Sequence, residues 1–247
     1  RRQRQMCIRD RSTADAAYQS RLAEAIDMHF AGRMINSPND YDVVIKLIPT
    51  KNDNFFVCMR LCSIQDNRFA YRKNVLPTSM HPSQAALIVS LAKPYLKETA
   101  QIMDPFCGVG TLLIERAHLV PAREIYATDT YGDAITMGRE NAAFAKTRIN
   151  FIHRDFFDFR HEYKFDELIT DMPVRNRQTK AEMELFYERF FDKASEHLVS
   201  GGIIVMYSNE IGFVKKQIRL RVEYRLLQET CILDKNDFYL FVIRYED

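Results

Sequence analysis

The sequence lacks any long apolar run. Nowhere in its 247 residues does an uncharged apolar segment approach the roughly 20 residues needed to cross a bilayer. No signal-peptide layout opens the chain. These absences predict a cytoplasmic protein with no membrane partner, and a hydrophobic content of 47% predicts a globular fold with a proper core.

Cysteine is scarce and scattered. The chain has five cysteines, an odd number with no repeated spacing: Cys7, Cys58, Cys62, Cys107 and Cys231. Cys58 and Cys62 lie close together, but no second pair of ligands follows them, so the sequence predicts neither a zinc site nor any other metal site. Reduced thiols in an intracellular protein are the simplest interpretation.

The chain also lacks a strong excess of either charge. A formal net charge of +2 does not mark it as a nucleic-acid binder. The basic residues are nevertheless clustered, and each cluster is either a solvated surface or frayed terminus, or a contact for phosphate groups. The clusters are Arg1, Arg2, Arg4, Arg9 and Arg11; Arg175, Arg177 and Lys180; and Lys215, Lys216, Arg219, Arg221 and Arg225.

Residues 1–71 have the pattern of a small α+β module. Apolar residues recur at helical spacing over 12–31, and β-branched and aromatic residues fill 41–48 and 55–61. A short polar turn joins the last two segments, which predicts a hairpin, and a third extended piece is expected at 69–71. Because one helix and a few strands make a small unit, we expect the module to be incomplete at its N-terminus.

Residues 72–100 are predicted to be a linker and a helix. The stretch 72–84 contains two prolines and several short polar residues, which is typical of a loop that caps the helix expected from about 83 to 96. His81 lies in this loop. A loop histidine is usually a surface residue, and its proximity in sequence to the strand that follows is the one argument for a role in cofactor binding.

The stretch that begins at residue 101 has the layout of a cofactor-binding turn. An apolar run ends in Asp104, passes through the tight loop Gly108-Val109-Gly110 and continues as an apolar helical pattern. Glycines let the backbone approach a ligand closely, and the start of a helix offers unpaired N–H groups. This arrangement predicts a site for a nucleotide-like cofactor, in which Thr111 either caps the helix or lines the site.

Beyond residue 101, strands and helices alternate, which predicts a mostly parallel sheet with helices on both faces. The expected strands are 101–106, 124–129, 150–153, 165–171 and 203–208. One helix is expected to end near 120, two more are expected at about 132–146 and 180–199, a turn at 200–202, and one further helix between 208 and 224. Two final β runs, 224–233 and 238–245, are joined by so short a link that they must pair antiparallel. The predicted fold class of 101–247 is therefore α/β: a Rossmann-like, mostly parallel seven-stranded sheet with an antiparallel last strand, the class I methyltransferase variant of the doubly wound fold.

Four carboxylates follow successive strands of this sheet, where ligands of such folds bind. Asp104 closes the first strand, and Asp129 closes the second, 19 residues past Gly110, where a carboxylate can accept hydrogen bonds from both ribose hydroxyls. Asp155 follows the third strand, placed to accept from an adenine amino group with Phe156 beside the ring, and Asp171 ends the fourth. Any one of them is more often a helix cap or turn former, but four in register point to a binding site.

The glycine pattern distinguishes between two cofactors. A dinucleotide site would share Asp129, but it requires a third glycine, for close helix–strand packing, where Leu113 stands. The argument therefore favours S-adenosylmethionine over NAD.

At these positions the chain resembles a known family. DPFCGVGTLLIE resembles the glycine motif of the RNA methyltransferases that carry a THUMP domain and make N2-methylguanosine in tRNA or rRNA. LPTSMHPSQAALIVSLA resembles the segment before that motif, and TDMPVR resembles the catalytic-loop motif, so the similarity covers roughly residues 35–245. It implies an S-adenosylmethionine cofactor, an RNA partner and a THUMP-like or ferredoxin-like N-terminal module that grips RNA.

The resemblance also implies roles for individual residues. By this resemblance the methyl donor or the target contacts Asp104, Phe106, Gly108, Gly110, Asp129, Asp155 and Asp171. The predicted cofactor site adds their neighbours Cys107, Val109, Thr111 and Phe156, together with His81.

Catalysis is expected at Asp171, Met172 and Pro173. An exocyclic amine is a poor nucleophile because its lone pair is delocalised into the ring. Asp171 and the Met172 carbonyl can accept hydrogen bonds from the two N–H groups of the amine and so orient its lone pair, while Pro173 stiffens the loop. The base must be flipped out to reach them. Val174 stands where the family often has an aromatic that stacks on the base, which leaves the identity of the base open.

Two other functions remain open from the sequence. The first is a methyltransferase of DNA, protein or a small molecule, which predicts no affinity for RNA and an N-terminal module that acts as a lid. The second is a catalytically silent RNA-binding protein. The intact carboxylates and glycines argue against the second, and Val174 keeps it open.

Overall fold

The computed structural model describes residues 4–10, 16–37, 39, 41–50, 54–61, 67–233 and 238–247 of the protein. The chain divides into two compact units, Arg1–Asn67 and Arg68–Asp247, and each has a sheet and a hydrophobic core of its own. Several predicted features lie outside the described residues: Arg1, Arg2, Arg11, Cys62, the start of the first helix at 12–15, the centre of the hairpin turn at 51–53 and the final link at 234–237.

The smaller unit contains one helix and a four-stranded sheet. Its elements are β1 (Arg4–Asp10), α1 (Ala16–His29), β2 (Met34–Asn36), β3 (Val43–Pro49) and β4 (Phe55–Leu61). The sheet order is β2-β1-β3-β4, with β1 parallel to β2 and β3, and with β3 antiparallel to β4. Ala23 of α1 is buried among Leu22, Ile26, Met34 and Ile45, so the helix packs on the sheet.

The structure confirms the first helix and the hairpin of this unit. Strands β3 and β4 pair from Val43 opposite Leu61 to Pro49 opposite Phe55. The sequence did not predict β1 or β2. Whether this unit is a THUMP-like module stays a prediction.

The extended piece expected at 69–71 was a wrong prediction. These residues form a turn, in which the Arg72 N–H donates to the Phe69 carbonyl at 3.1 Å. The turn belongs to the larger unit, which begins at Arg68. Aromatic residues suit a turn as well as a strand when their rings pack inward, and Tyr71 is buried.

The larger unit alternates strands and helices. Its elements are α2 (Pro82–Ala92), a 3-10 helix (Lys93–Tyr95), β5 (Gln101–Asp104), α3 (Thr111–Leu119), β6 (Glu124–Asp129), α4 (Gly132–Ala145), β7 (Asn150–His153), a 3-10 helix (Phe156–Asp158), β8 (Phe165–Asp171), α5 (Lys180–His197), β9 (Leu198–Ser208), α6 (Ile211–Leu220), β10 (Tyr224–Leu233) and β11 (Phe238–Tyr245). The described helices include none long and apolar enough to cross a bilayer.

The seven-stranded sheet of this unit has the order β10-β11-β9-β8-β5-β6-β7. Strands β5 to β9 are parallel, and β11 runs antiparallel to both β9 and β10. This confirms the predicted α/β fold with an antiparallel last strand. The chain builds outward from β5 on one side and from β8 on the other, so a crevice forms at the carboxyl ends of these two strands, where ligands of such sheets bind.

Strand β9 is longer than predicted. It begins at Leu198, which pairs with Phe165, whereas the next pair joins Glu167 to Ile203. The turn expected at 200–202 is therefore an irregularity within the strand, and Gly201 takes a φ of +78° there. A bulge of this kind inserts residues into one strand without ending the pairing.

Helices cover both faces of the sheet, because successive strand residues point to opposite sides. Ile102 of β5 joins the core that includes α2, α3 and α4, and the neighbouring Met103 joins the core that includes α5 and α6. Both side chains are fully buried. The two cores fix the sheet from both sides and leave its carboxyl edge for the site.

Candidate active site

Asp104 ends β5 and starts the turn into α3. Its side chain is buried, and Oδ1 accepts from the Phe106 N–H at 3.0 Å. The Cys107 N–H then donates to the Thr128 carbonyl at 2.9 Å, and the Gly110 N–H donates to the Cys107 carbonyl at 2.8 Å. These bonds fold the turn back onto β6 and place the start of α3 at the edge of the sheet.

Two glycines make this turn possible. Gly108 has a φ of +50° and Gly110 has a φ of +78°, a region that L-residues with a side chain rarely adopt. Gly110 is also the residue before the first turn of α3, and a Cβ there would lie 2.8 Å from Cζ of Phe151. Position 110 therefore requires glycine for its conformation and for space.

A cavity of about 580 Å³ opens beside this turn. Small-molecule sites occupy roughly 300–1,000 Å³, so the volume suits a nucleotide-sized ligand. Its wall comes from the segment before α2, the turn after β5, the end of β6 and the loop after β8. The lining residues are Leu76, Thr78, Ser79, Met80, Asp104, Phe106, Cys107, Gly108, Val109, Thr111, Leu112, Asp129, Asp171, Met172, Pro173, Val174, Arg175 and Asn176.

Asp129 connects the end of β6 to the glycine loop. Its Oδ2 accepts from the Gly108 N–H at 2.8 Å, and its Oδ1 accepts from the Tyr131 N–H at 2.9 Å. Because each carboxylate oxygen has two lone pairs, both oxygens keep capacity for a further donor. Asp129 thus orients the loop and still faces the cavity as an acceptor.

The loop after β8 supplies the opposite wall. Met172 is buried, and its N–H donates to the Tyr207 carbonyl of β9 at 2.9 Å. Pro173 is exposed, and Val174 is 51% exposed. Arg175 then places its Nε 3.7 Å from Oε1 of Glu210. The Met172 bond therefore attaches the loop to the end of β9, while the lining residues of the loop face the cavity.

Burial makes two of the carboxyl groups hard to ionise. It raises the pKa of Asp104 to about 8; the charges of Asp171 and Asp129 add to this rise, and the bond from the Phe106 N–H opposes it. Burial also raises the pKa of Asp171 to about 7. A positively charged ligand would favour the ionised forms, since an opposite charge nearby lowers a carboxyl pKa.

Two further polar groups face the same space. Thr111, the first residue of α3, is 5% exposed, and its Oγ1 has no hydrogen-bond partner among the described residues. A buried hydroxyl without a partner costs free energy. The contact of Thr111 with a cofactor stays a prediction. The Cys107 thiol lies on the same wall, and burial, followed by the charges of Asp104 and Asp129, raises its pKa well above the usual range. It lines the cavity as a neutral group.

The structure does not bring every predicted residue to this cavity. Asp155 caps the short helix that follows it, accepting from the Phe157 N–H at 2.9 Å, and Phe156 is buried in the core 5.9 Å from the Phe106 ring. His81 is the N-cap of α2, where Nδ1 accepts from the Ser83 N–H at 3.2 Å. These three, and Gly110, are absent from the cavity lining. Their contacts with a cofactor stay predictions.

Sequence reasoning missed Asn141, which holds one wall in place. This fully buried residue of α4 accepts through Oδ1 from the Lys73 N–H at 3.0 Å and the Asn74 N–H at 2.9 Å. Its Nδ2 donates to the Asn74 carbonyl at 2.9 Å and the Val109 carbonyl at 3.4 Å. One side chain thus links the segment before α2 to the glycine loop. Its signal in the sequence is a polar residue on the apolar face of α4, which also contains Ala134.

The arginine at position 72 supports the same wall. Its guanidinium donates to the carbonyls of Ser79 at 3.4 Å and Met80 at 3.2 Å, and Ser79 Oγ accepts from the Leu76 N–H at 2.9 Å. Gln84 then reaches the Tyr207 hydroxyl of β9. The linker predicted at 72–84 is therefore a fixed part of the site.

Known proteins resemble this chain in sequence and in fold. The family model described as UPF0020, RMKL-like, methyltransferase domain, matches residues 70–230. A tRNA (guanine(10)-N2)-dimethyltransferase of Methanothermobacter thermautotrophicus is 31% identical over 187 residues, which are 71% of this chain and 54% of that protein. The chain therefore spans about half the length of this curated relative.

Solved structures share the fold. TrmN from Thermus thermophilus has a TM-score of 0.71 at 19% identity, covering 98% of this chain and 71% of that chain. A putative methyltransferase, SMU.472, complexed with SAH, has a TM-score of 0.72 at 15% identity, covering 99% of this chain and 76% of that chain. At these identities the comparison shows the fold.

Proposed function

The chain belongs to the UPF0020 family and contains its methyltransferase domain, whose class I fold uses S-adenosylmethionine, and from this membership we propose that it methylates the exocyclic N2 amine of a guanosine in tRNA or rRNA. The observation that carries the proposal is the single cavity shared by the glycine loop, Asp129 and the loop Asp171-Met172-Pro173. The relative named as a tRNA (guanine(10)-N2)-dimethyltransferase supports the choice of an RNA guanosine.

The cavity wall fits the cofactor. Bound S-adenosylmethionine supplies a methyl group that its sulfonium makes electrophilic. Asp129 has free lone pairs for the ribose hydroxyls, and the first N–H groups of α3 are unpaired donors. Thr111 lines the same wall, and the positive charges of the donor would favour the ionised form of the buried Asp104 carboxyl.

The loop after β8 prepares the amine. Asp171 and the Met172 carbonyl accept hydrogen bonds from the two N–H groups of the amine, which orients the nitrogen lone pair toward the methyl group. The bond from the Met172 N–H to the Tyr207 carbonyl fixes this loop, and Pro173 restricts its backbone. Asp171, with a pKa near 7, also accepts the proton that the nitrogen releases after transfer.

The test combines binding and transfer. We expect calorimetry to show micromolar binding of S-adenosylmethionine, and labelled methyl to appear in a defined band of total RNA from a source that lacks the enzyme; nucleoside digestion then identifies the base. Binding without label in RNA would contradict the RNA substrate. An absence of binding would contradict the cofactor site and favour a silent RNA-binding protein.

The role of Asp171 can be tested in the same assays. Asp171→Ala should leave the affinity for S-adenosylmethionine within about twofold while reducing the transfer rate by roughly 100-fold or more, because the interaction is made to the amine in the transition state. Asp171→Asn, which keeps one acceptor of similar shape, should retain more activity than the alanine variant. A loss of donor affinity with normal turnover would show that Asp171 binds the donor instead.

A further inference from the structure

The charges on the cavity wall are distributed unevenly. Asp104, Asp129 and Asp171 give the wall three carboxyl groups. Arg175 is the one basic residue among the described residues that line the cavity. It lies on the loop after β8, four residues past Asp171, so the two Cα atoms are separated by at most about 14 Å of extended chain.

The present partner of Arg175 is a weak one. Its Nε lies 3.7 Å from Oε1 of Glu210, and the two side chains are 45% and 19% exposed. That distance is beyond a hydrogen bond, and exposed ion pairs contribute little because water screens them. Among the described residues no second carboxylate pairs with Arg175. Its guanidinium can therefore bind another anion without breaking a strong contact.

We propose that Arg175 is the phosphate contact of the target nucleotide: it binds the backbone phosphate of the nucleotide whose base lies against Asp171, and Glu210 keeps the guanidinium at the cavity rim until the nucleotide enters. This inference rests on the proposed function, since it requires a nucleotide substrate. It identifies Arg175 as the residue that recognises the phosphate of the substrate nucleotide within an RNA chain.

Charge complementarity sets the orientation of the substrate. A phosphate placed at the carboxyl end of β6 would face the carboxylate of Asp129, which repels it. A phosphate placed over Arg175 meets a planar fork of donors that matches its oxygens. The base then points inward, toward the acceptors on Asp171 and Met172. One nucleotide thus spans the distance between the acidic wall and the basic rim.

The loop also offers a matched control. Arg177 is exposed, lies two residues further along the same loop and is absent from the cavity lining. Removing either arginine changes the net charge by the same amount. A difference between the two variants therefore reports position rather than general attraction between a basic protein and RNA.

The experiment measures methyl transfer to RNA with the full chain. Arg175→Ala should raise KM for RNA roughly tenfold and make the slope of log KM against log salt shallower by about one, whereas the affinity for S-adenosylmethionine stays unchanged. Arg175→Lys keeps the charge but loses the planar fork of donors, so its KM for RNA should lie between those of the wild type and Arg175→Ala. Arg177→Ala should change KM by less than about twofold. Equal effects of Arg175→Ala and Arg177→Ala would overturn the proposal.

Glu210→Gln separates phosphate binding from anchoring of the loop. If Arg175 binds phosphate, removing the competing carboxylate should leave KM for RNA unchanged or lower it. If Arg175 only anchors the loop through Glu210, then Glu210→Gln should reproduce the loss seen in Arg175→Ala, and the proposal would be wrong. Thermal unfolding of each variant checks that the loop change does not unfold the protein.

A nucleotide probe keeps this inference distinct from the proposed function. The wild-type complex with SAH should bind guanosine 5′-monophosphate more tightly than guanosine in an NMR titration, and Arg175→Ala should remove that preference. If RNA receives no methyl group but the preference is present, the RNA substrate is wrong and the phosphate contact stands. If RNA is methylated and neither the preference nor KM depends on Arg175, the phosphate contact is wrong.

Discussion

Glycine at position 110 meets two separate requirements, and a second glycine allows them to be measured apart. Gly110 and Gly201 share a φ of +78°. A Cβ at 110 would lie 2.8 Å from Phe151, whereas a Cβ at 201 would meet nothing within 4 Å. Gly201→Ala should therefore lower the free energy of unfolding by about 1–2 kcal/mol through backbone strain alone.

Gly110→Ala should lower the free energy of unfolding by about 1–3 kcal/mol more than Gly201→Ala does, because the methyl group also displaces the Phe151 ring. Urea denaturation of both variants without cofactor measures the difference. Equal losses at the two positions would show that the ring moves aside freely and that backbone conformation alone selects glycine at 110.

The carboxyl group of Asp104 predicts a dependence of stability on pH. Its folded-state pKa of about 8 lies far above the 3.8 of an exposed aspartate, so between these values the folded state holds a proton that the unfolded state releases. Stability contributed by this group is therefore lost as pH rises from about 4 to about 8. Asp104→Asn, which keeps the acceptor for the Phe106 N–H, should remove that loss.

The measurement is urea denaturation of the cofactor-free protein at pH 5 and pH 8. We expect Asp104→Asn to be more stable than wild type at pH 8, by an amount on the order of 1–3 kcal/mol, with a smaller gain at pH 5. A gain that is the same at both values would mean that Asp104 is ionised in the folded protein across this range.

At the scale of elements, α4 holds the segment before α2 through a single side chain. Asn141→Ala would leave the Lys73 and Asn74 N–H groups without their acceptor, which should cost about 1–3 kcal/mol of stability and loosen the wall that runs from Leu76 to Met80. Affinity for S-adenosylmethionine should fall as well, because this wall lines the cavity.

Glu140→Ala is the control for this change. Glu140 is the neighbour of Asn141 on α4 and accepts from Asn74 Nδ2 at 2.6 Å, but at an exposed position. Its loss should change stability by less than about 0.5 kcal/mol. Amide hydrogen exchange at Lys73 and Asn74 should quicken in Asn141→Ala and not in Glu140→Ala. Unchanged exchange in both would show that other contacts hold the segment.

Elements with a strong local pattern could be predicted from the sequence, and those set by distant contacts could not. Strands β5, β6 and β8 are apolar runs that end in aspartate, so their type and their acidic ends follow from the residues themselves. Strand β1 has charged residues at 4, 9 and 10, a pattern that is typical of a solvated terminus. It is a strand because it pairs in parallel with β2 and β3, which local sequence does not reveal.

The same distinction holds for the site. The acidic residues and the glycine loop follow from strand ends and turn chemistry. The wall before α2 could not be predicted, because Asn141 lies more than 60 residues away in sequence and acts through backbone bonds to residues 73 and 74. The place of Arg175 at the cavity rim was equally hidden, since its neighbours in the sequence show only a basic cluster.

At the scale of the whole molecule, the two units have separate cores, and the described residues that line the cavity belong to the larger one. A ligand that binds only the folded state stabilises it by about 2.7 kcal/mol at 100 times its Kd. Cofactor binding should therefore slow hydrogen exchange throughout the larger unit, including the glycine turn 104–111 and strands β5, β6 and β8. The sheet of the smaller unit has its own packing, around Ala23.

We accordingly expect saturating S-adenosylmethionine to leave exchange in β3 and β4 unchanged while it protects the core strands of the larger unit. Exchange followed by mass spectrometry on the full chain measures both regions in one sample. Asp129→Ala removes the acceptor of the Gly108 N–H and the acceptor that we propose for the ribose, so protection should weaken in this variant. Equal protection of β3 and β4 would show that the units unfold together, so that cofactor energy stabilises the whole chain.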